Sequence, residues 1–195
     1  MATPDSAARA ALSRADVAGL AASWPKPSPA LTLTMLELTH VLSLRHWPDE
    51  GSATLAAMLR AQGLPPNPKP GRSSVTEPLL IWHSPTETLM LTQDAAQATA
   101  LLAALRPIPG ALACALDLSA GSLVLRLQGS GVEALLSRLA DAQALPRDAG
   151  QASRMRFADI PVVVWRAAPD CVGLLVDRAN DHYLVRWLNY AAYTA

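Results

Sequence analysis

The chain reads as an α+β protein: two interlocked lobes of mainly antiparallel sheet with helices. Three observations carry that expectation. Apolar runs of strand length alternate with segments whose apolar residues recur at helical spacing, so strands and helices are interleaved along one chain. The 195 residues are 51% hydrophobic and 16% charged, which supplies a core and leaves too little charge for disorder. Residues 1–30 stand apart, Ala-rich and then Pro-rich, which leaves 31–195 as the folded domain.

Taken in order, Ser6 to Ala22 can be helical but carries only Leu12, Val17 and Leu20 as larger apolar residues, and Trp24-Pro25-Lys26-Pro27-Ser28-Pro29 then forces an extended linker. Residues 1–30 are therefore expected to be a flexible arm, or one that orders against another subunit. His40 to Trp47 is a strand. Pro48-Asp49-Glu50-Gly51 turns into a helix bearing Leu55, Met58 and Leu59, which Gly63 stops. The proline-rich run Leu64 to Gly71 is a long loop. Leu79 to His83 and Thr88 to Thr92 form a hairpin across Ser84-Pro85-Thr86-Glu87, and Ala98, Leu101, Leu102 and Leu105 mark a helix that Pro107 ends. Ala111 to Asp117 returns as a strand, so the first half is a ferredoxin-like βαββαβ unit.

Ala115 to Ala140 joins the halves. Leu123, Leu125 and Leu127 alternate with Val124, Arg126 and Gln128 in a strand, and Gly129-Ser130-Gly131 breaks it. Ser130 is expected to cap the next helix, with Glu133 completing a capping box and Val132, Leu135, Leu136 and Leu139 on one face. Strands follow at Ser153–Ala158, Pro161–Arg166 and Cys171–Val176, the second being a strongly β-forming run of Val162-Val163-Val164-Trp165. A final helix carries Tyr183, Leu184, Trp187, Leu188 and Ala191.

Sixteen Lys and Arg balance sixteen Asp and Glu, so the chain lacks the electrostatic footprint of a nucleic-acid or anionic-membrane binder. No apolar stretch reaches the length of a membrane span, and the N-terminus has no signal-peptide pattern. Cys114 and Cys171 lie in apolar runs without metal-ligand spacing, as free thiols do in a reducing compartment. The expected location is the cytoplasm.

Candidate chemistry is sparse. His40, His46, His83 and His182 match no metal or nucleophile pattern and are read as strand-end or surface residues. Gly129-Ser130-Gly131 precedes a helix but lacks the Gly-Lys-Ser/Thr of a phosphate loop, and Glu133 in the first turn would repel phosphate. Asp117, at the end of an apolar strand, either anchors a turn through Ser119 or faces a cleft and holds an amine-bearing ligand. Trp24, Trp82, Trp165 and Trp187 are the candidates for a partner interface, the last three serving there or in the core.

Several of these strings, in this order, resemble the gamma subunit of heterotetrameric sarcosine oxidase. The resemblance spans Leu36 to Ala192. It rests on Leu80-Ile81-Trp82-His83-Ser84-Pro85-Thr86-Glu87, on Asp117-Leu118-Ser119 followed by the strand to Gly129 and a Leu-rich helix, on Arg154-Met155-Arg156-Phe157-Ala158-Asp159 with Val162 to Arg166, and on Val172 to Trp187. The usual Gly-Pro-Asp turn is Ser84-Pro85-Thr86 here, and the arm is no part of the likeness. The resemblance implies an aminomethyltransferase-like fold and a non-catalytic structural subunit of a flavoenzyme that oxidatively demethylates sarcosine. It implies large and small flavoprotein subunits as partners, which hold FAD, FMN, NAD and tetrahydrofolate, and no cofactor bound by this chain alone. The alternative is a stand-alone folate- or small-ligand-binding module, homo-oligomeric where no oxidase partner is present. The Lys-Gly-Cys-Tyr-like string of related iron–sulfur repair proteins is absent.

Overall fold

The computed structural model describes residues 12–13, 16–17, 19, 31–36, 39–157 and 159–193; the rest of the arm, Trp24 with it, and Ala158 lie outside the described residues. The described elements are β1 (Thr32–Met35), β2 (His40–His46), α1 (Glu50–Ala61), β3 (Leu79–Ser84), β4 (Glu87–Thr92), α2 (Ala95–Ala104), β5 (Ala113–Asp117), β6 (Ser122–Gln128), α3 (Val132–Leu136), β7 (Ala152–Phe157), β8 (Ile160–Ala168), β9 (Cys171–Asp177) and α4 (Asp181–Tyr193). They build two antiparallel sheets, one in the order β3-β4-β2-β5 and the other in the order β1-β6-β9-β8-β7. The α+β expectation holds, and the first sheet with α1 and α2 is the expected βαββαβ unit.

Alternation along the strands sorts the side chains into three cores. Leu42 and Leu44 of β2, Leu80 of β3 and Met90 of β4 pack with Leu55 and Leu59 of α1 and Leu101 of α2. Leu125, Val164 and Leu174 of the second sheet pack with Leu135 of α3 and Leu184 and Leu188 of α4. Between the sheets, Val41, Ile81, Leu89 and Leu91 meet Val124, Val163, Trp165 and Leu175. The layers therefore run helices, sheet, sheet, helices.

Two features interlock the lobes. β1 precedes the first lobe in sequence yet pairs with β6 in the second sheet, Leu33 opposite Leu127 and Met35 opposite Leu125. Sequence reading did not anticipate this strand. The long loop before β3 then stitches the sheet edges together, Arg72 bridging to Gln151 and Ser73 to Ile81. Of the arm, Leu12 and Val17 are buried in the α4-side core, and Leu12 N–H donates to Asp181 Oδ2 at 3.3 Å.

The helix ends test the local predictions. Gly63, at φ 67°, closes α1 in a Schellman motif: its N–H donates to Arg60 O and the Leu64 N–H to Leu59 O, with both leucines buried. The predicted capping box of α3 is not formed. Its N-cap is Gly131, with no side-chain cap bond, and the helix is five residues long. Glu133 instead meets Arg166 Nη2 at 2.6 Å. Arg166 is 2% exposed, and its Nη2 takes the Glu133 carboxylate as acceptor, which leaves that carboxylate unavailable to the helix end.

Candidate functional site

Past Leu89 the facing sheets leave a cleft of about 400 Å³. Its walls include Leu89, Val163 and Leu175, and its polar groups are His83, Glu87, Asp117, Arg154 and Asp177. Register explains their convergence. Glu87 stands opposite Arg45 in the β2–β4 ladder. The β3–β4 register shifts between Trp82 and Ser84, which puts His83 at a bulge, a device that re-aims a side chain. On the other sheet Arg154 stands opposite Val163, and Val163 opposite Leu175.

Glu87 accepts a short hydrogen bond from Ser43 Oγ and lies 3.6 Å from Arg45 Nε and 3.9 Å from His83 Nε2. Burial lowers the pKa of His83, the Glu87 charge opposes that shift, and Arg154 and Arg45 reinforce it, which favours the neutral imidazole. Its Nδ1 is buried without a hydrogen-bond partner. The Nε2 to carboxylate distance exceeds hydrogen-bond length, and Glu87 is already held by a hydroxyl. His83 and Glu87 are thus not a hydrogen-bonded proton-transfer pair.

Asp117 lines this cleft and also anchors the turn after β5. It accepts from the backbone N–H of Ser119 at 2.9 Å and from the Ser119 hydroxyl, which hold its carboxyl below the ordinary carboxylate range. The expected turn role is thus formed, and the residue also borders the cleft. Trp165 is buried in the inter-sheet core, and Trp82 is half-buried on β3. Trp187 is half-buried against the α4-side core and makes edge contacts with Tyr183 and Tyr190 at centroid separations of 6.2 and 5.6 Å. His83, Glu87 and Arg154 were not singled out as a group by sequence. The usable signal was parity, since Arg154 and Arg156 alternate with the core residues Met155 and Phe157 and so face the other sheet. Among the described residues no cluster of three or more His, Cys, Asp or Glu could hold a metal ion, and no helix is long and apolar enough to cross a membrane.

No family model matches the chain. The sarcosine oxidase subunit gamma of Corynebacterium sp. strain U-96 is 32% identical over 183 residues, covering 92% of this chain and 83% of that protein. The sarcosine oxidase subunit gamma of Corynebacterium sp. strain P-1 is 30% identical over 174 residues, 87% of this chain and 84% of that one. A chain of the heterotetrameric sarcosine oxidase from Corynebacterium sp. U-96, in complex with pyrrole 2-carboxylate, superposes with a TM-score of 0.78 at 28% identity, over 94% of this chain and 96% of that one. The aminomethyltransferase T of the Bartonella henselae glycine cleavage system shares the fold at a TM-score of 0.56 and 15% identity, over 89% of this chain and 48% of that one. Identities of 32% and 30% across most of both chains lead to one conclusion: the chain belongs to the sarcosine oxidase gamma-subunit family.

Proposed function

We propose that the chain is the non-catalytic assembly subunit of a heterotetrameric, sarcosine oxidase-type flavoenzyme of the cytoplasm. The observation that carries this is the end-to-end match with a chain of such a heterotetramer, 94% of one against 96% of the other. The partners are large and small flavoprotein subunits, and FAD, FMN, NAD and tetrahydrofolate reside in them. Among Trp24, Trp82, Trp165 and Trp187, the half-buried Trp187 is the residue best placed to meet a partner, since the exposed Tyr183 and Tyr190 extend its aromatic edge. Trp82 is a second contact and Trp165 supports the sheet from within, while Trp24 lies outside the described residues.

The test is to purify the tagged chain from its native cells and record the co-purifying polypeptides, the visible spectrum and peroxide release on sarcosine. A yellow complex with larger subunits and sarcosine-dependent peroxide is expected. In the same assay Trp187→Ala should reduce the recovered partner about tenfold, the scale of a single interface hot spot. A colourless chain recovered alone, from cells that express such an oxidase, overturns the reading. The inter-sheet cleft favours the alternative, a stand-alone folate- or small-ligand-binding module, which that second outcome would promote.

A further inference from the structure

Among the described residues that line the cleft between the sheets, one charged group has no structural task. Glu87 is engaged by Ser43 and Arg45, Asp117 by Ser119, and Asp177 by the N–H of Ala179. Arg154 has no carboxylate or carbonyl partner among the described residues. It projects from β7 on the face that carries Ala152, toward the other sheet, and its charge reaches His83 there. Arg154 is exposed, and a guanidinium bordering an apolar wall binds carboxylates in two parallel hydrogen bonds. The wall is Leu89 on one side and Val163 and Leu175 on the other, and about 400 Å³ suits a small organic molecule.

We infer that this cleft binds a small monocarboxylate with an apolar body, its carboxylate on Arg154 and its body between Leu89, Val163 and Leu175. A second negative charge on the ligand would meet Glu87, Asp117 or Asp177, which restricts the class to single carboxylates. The neighbouring imidazole supplies a signature. Burial is the main force lowering its pKa, Glu87 on β4 opposes it, and Arg154 on β7 and Arg45 on β2 add to it, while Asp117 on β5 and Asp177 on β9 also face the cleft. An anion on Arg154 cancels the part of the downward shift that this guanidinium adds to burial, so binding favours a protonated His83 and tightens as pH falls.

The site does not rest on the subunit reading, because it is read on this chain's own side chains. The purified full chain is titrated with benzoate and, separately, with benzylamine, following the His83 imidazole by NMR and the heat by calorimetry. Benzoate is expected to shift the His83 resonances and to bind several-fold more tightly near pH 5.5 than near pH 7.5, the range in which histidine titrates. Arg154→Gln should weaken it about tenfold or more, with Arg154→Lys in between, as expected for a charge-assisted bidentate contact. Benzoate that leaves His83 unmoved at about 10 mM, far above the Kd of a useful site, overturns the inference. So does equal binding by Arg154→Gln, or preferential binding of benzylamine.

Discussion

Gly173 owes its identity to a ring. It stands directly opposite Trp165 in the β8–β9 ladder, and a Cβ built on it would lie 2.0 Å from the indole Cζ2. The indole covers the bare backbone of its neighbour and completes the inter-sheet core, where Trp165 is 6% exposed. Gly173→Ala must therefore displace a buried ring, at a cost of about 2–3 kcal/mol in chemical denaturation. The double variant with Trp165→Ala should be no less stable than Trp165→Ala alone, because the ring that clashes is gone. Additive losses would show that Gly173 is required for some other reason. Of this pair, only one half was legible beforehand. Trp165 sits in an evident strand, but its partner is set by cross-strand register, which pairs residues that the sequence pattern does not link.

Elements with local causes were readable, and those with distant causes were not. The end of α1 could be predicted from Gly63 because a Schellman motif involves only adjacent residues. The start of α3 was misread because Glu133 has two uses, and the deciding one lies 33 positions away. Arg166 donates from Nε to Pro146 O and from Nη1 to Pro169 O, both at 2.9 Å, as well as to Glu133, so one buried side chain clamps α3, the loop before β7 and the β8–β9 turn. Arg166→Met strips donors from two carbonyls and an acceptor, and about 3 kcal/mol should be lost. Glu133→Gln keeps an acceptor at a site where the glutamate is 53% exposed, so its cost should be only about 1 kcal/mol. Equal losses in the two variants, measured as denaturation midpoints, would mean that the ion pair rather than the carbonyl clamp matters. β1 escaped prediction for the same reason, since four residues make a strand only beside β6, whose Gln128 pairs with Thr32.

At the scale of the whole molecule, the two halves that composition and periodicity suggest are not independent. The ferredoxin-like half was legible as a unit and the cleft was not, because the cleft exists only where two sheets from different halves face each other. The chain crosses between them at β1, again at the bridges from Arg72 and Ser73, and shares the core built on Val41, Leu91, Val163 and Leu175. Neither sheet can lose its partner without exposing that core to water, and Leu33 and Met35 would leave the second lobe with any unravelling that begins before β2. Unfolding should accordingly be a single transition. Amide exchange protection in β4 and in β9 should converge on one opening free energy as denaturant is added, as expected of one cooperative unit. Leu33→Ala, which removes a side chain only 4% exposed from the strand that crosses between lobes, should lower both by the same amount, about 2–3 kcal/mol. If β9 loses protection while β4 keeps its own, the lobes are separable and the interlock is topological without being energetic. A common loss would mean that a ligand or partner bound to either lobe stabilises both, which is what an assembly subunit with an inter-sheet cleft requires.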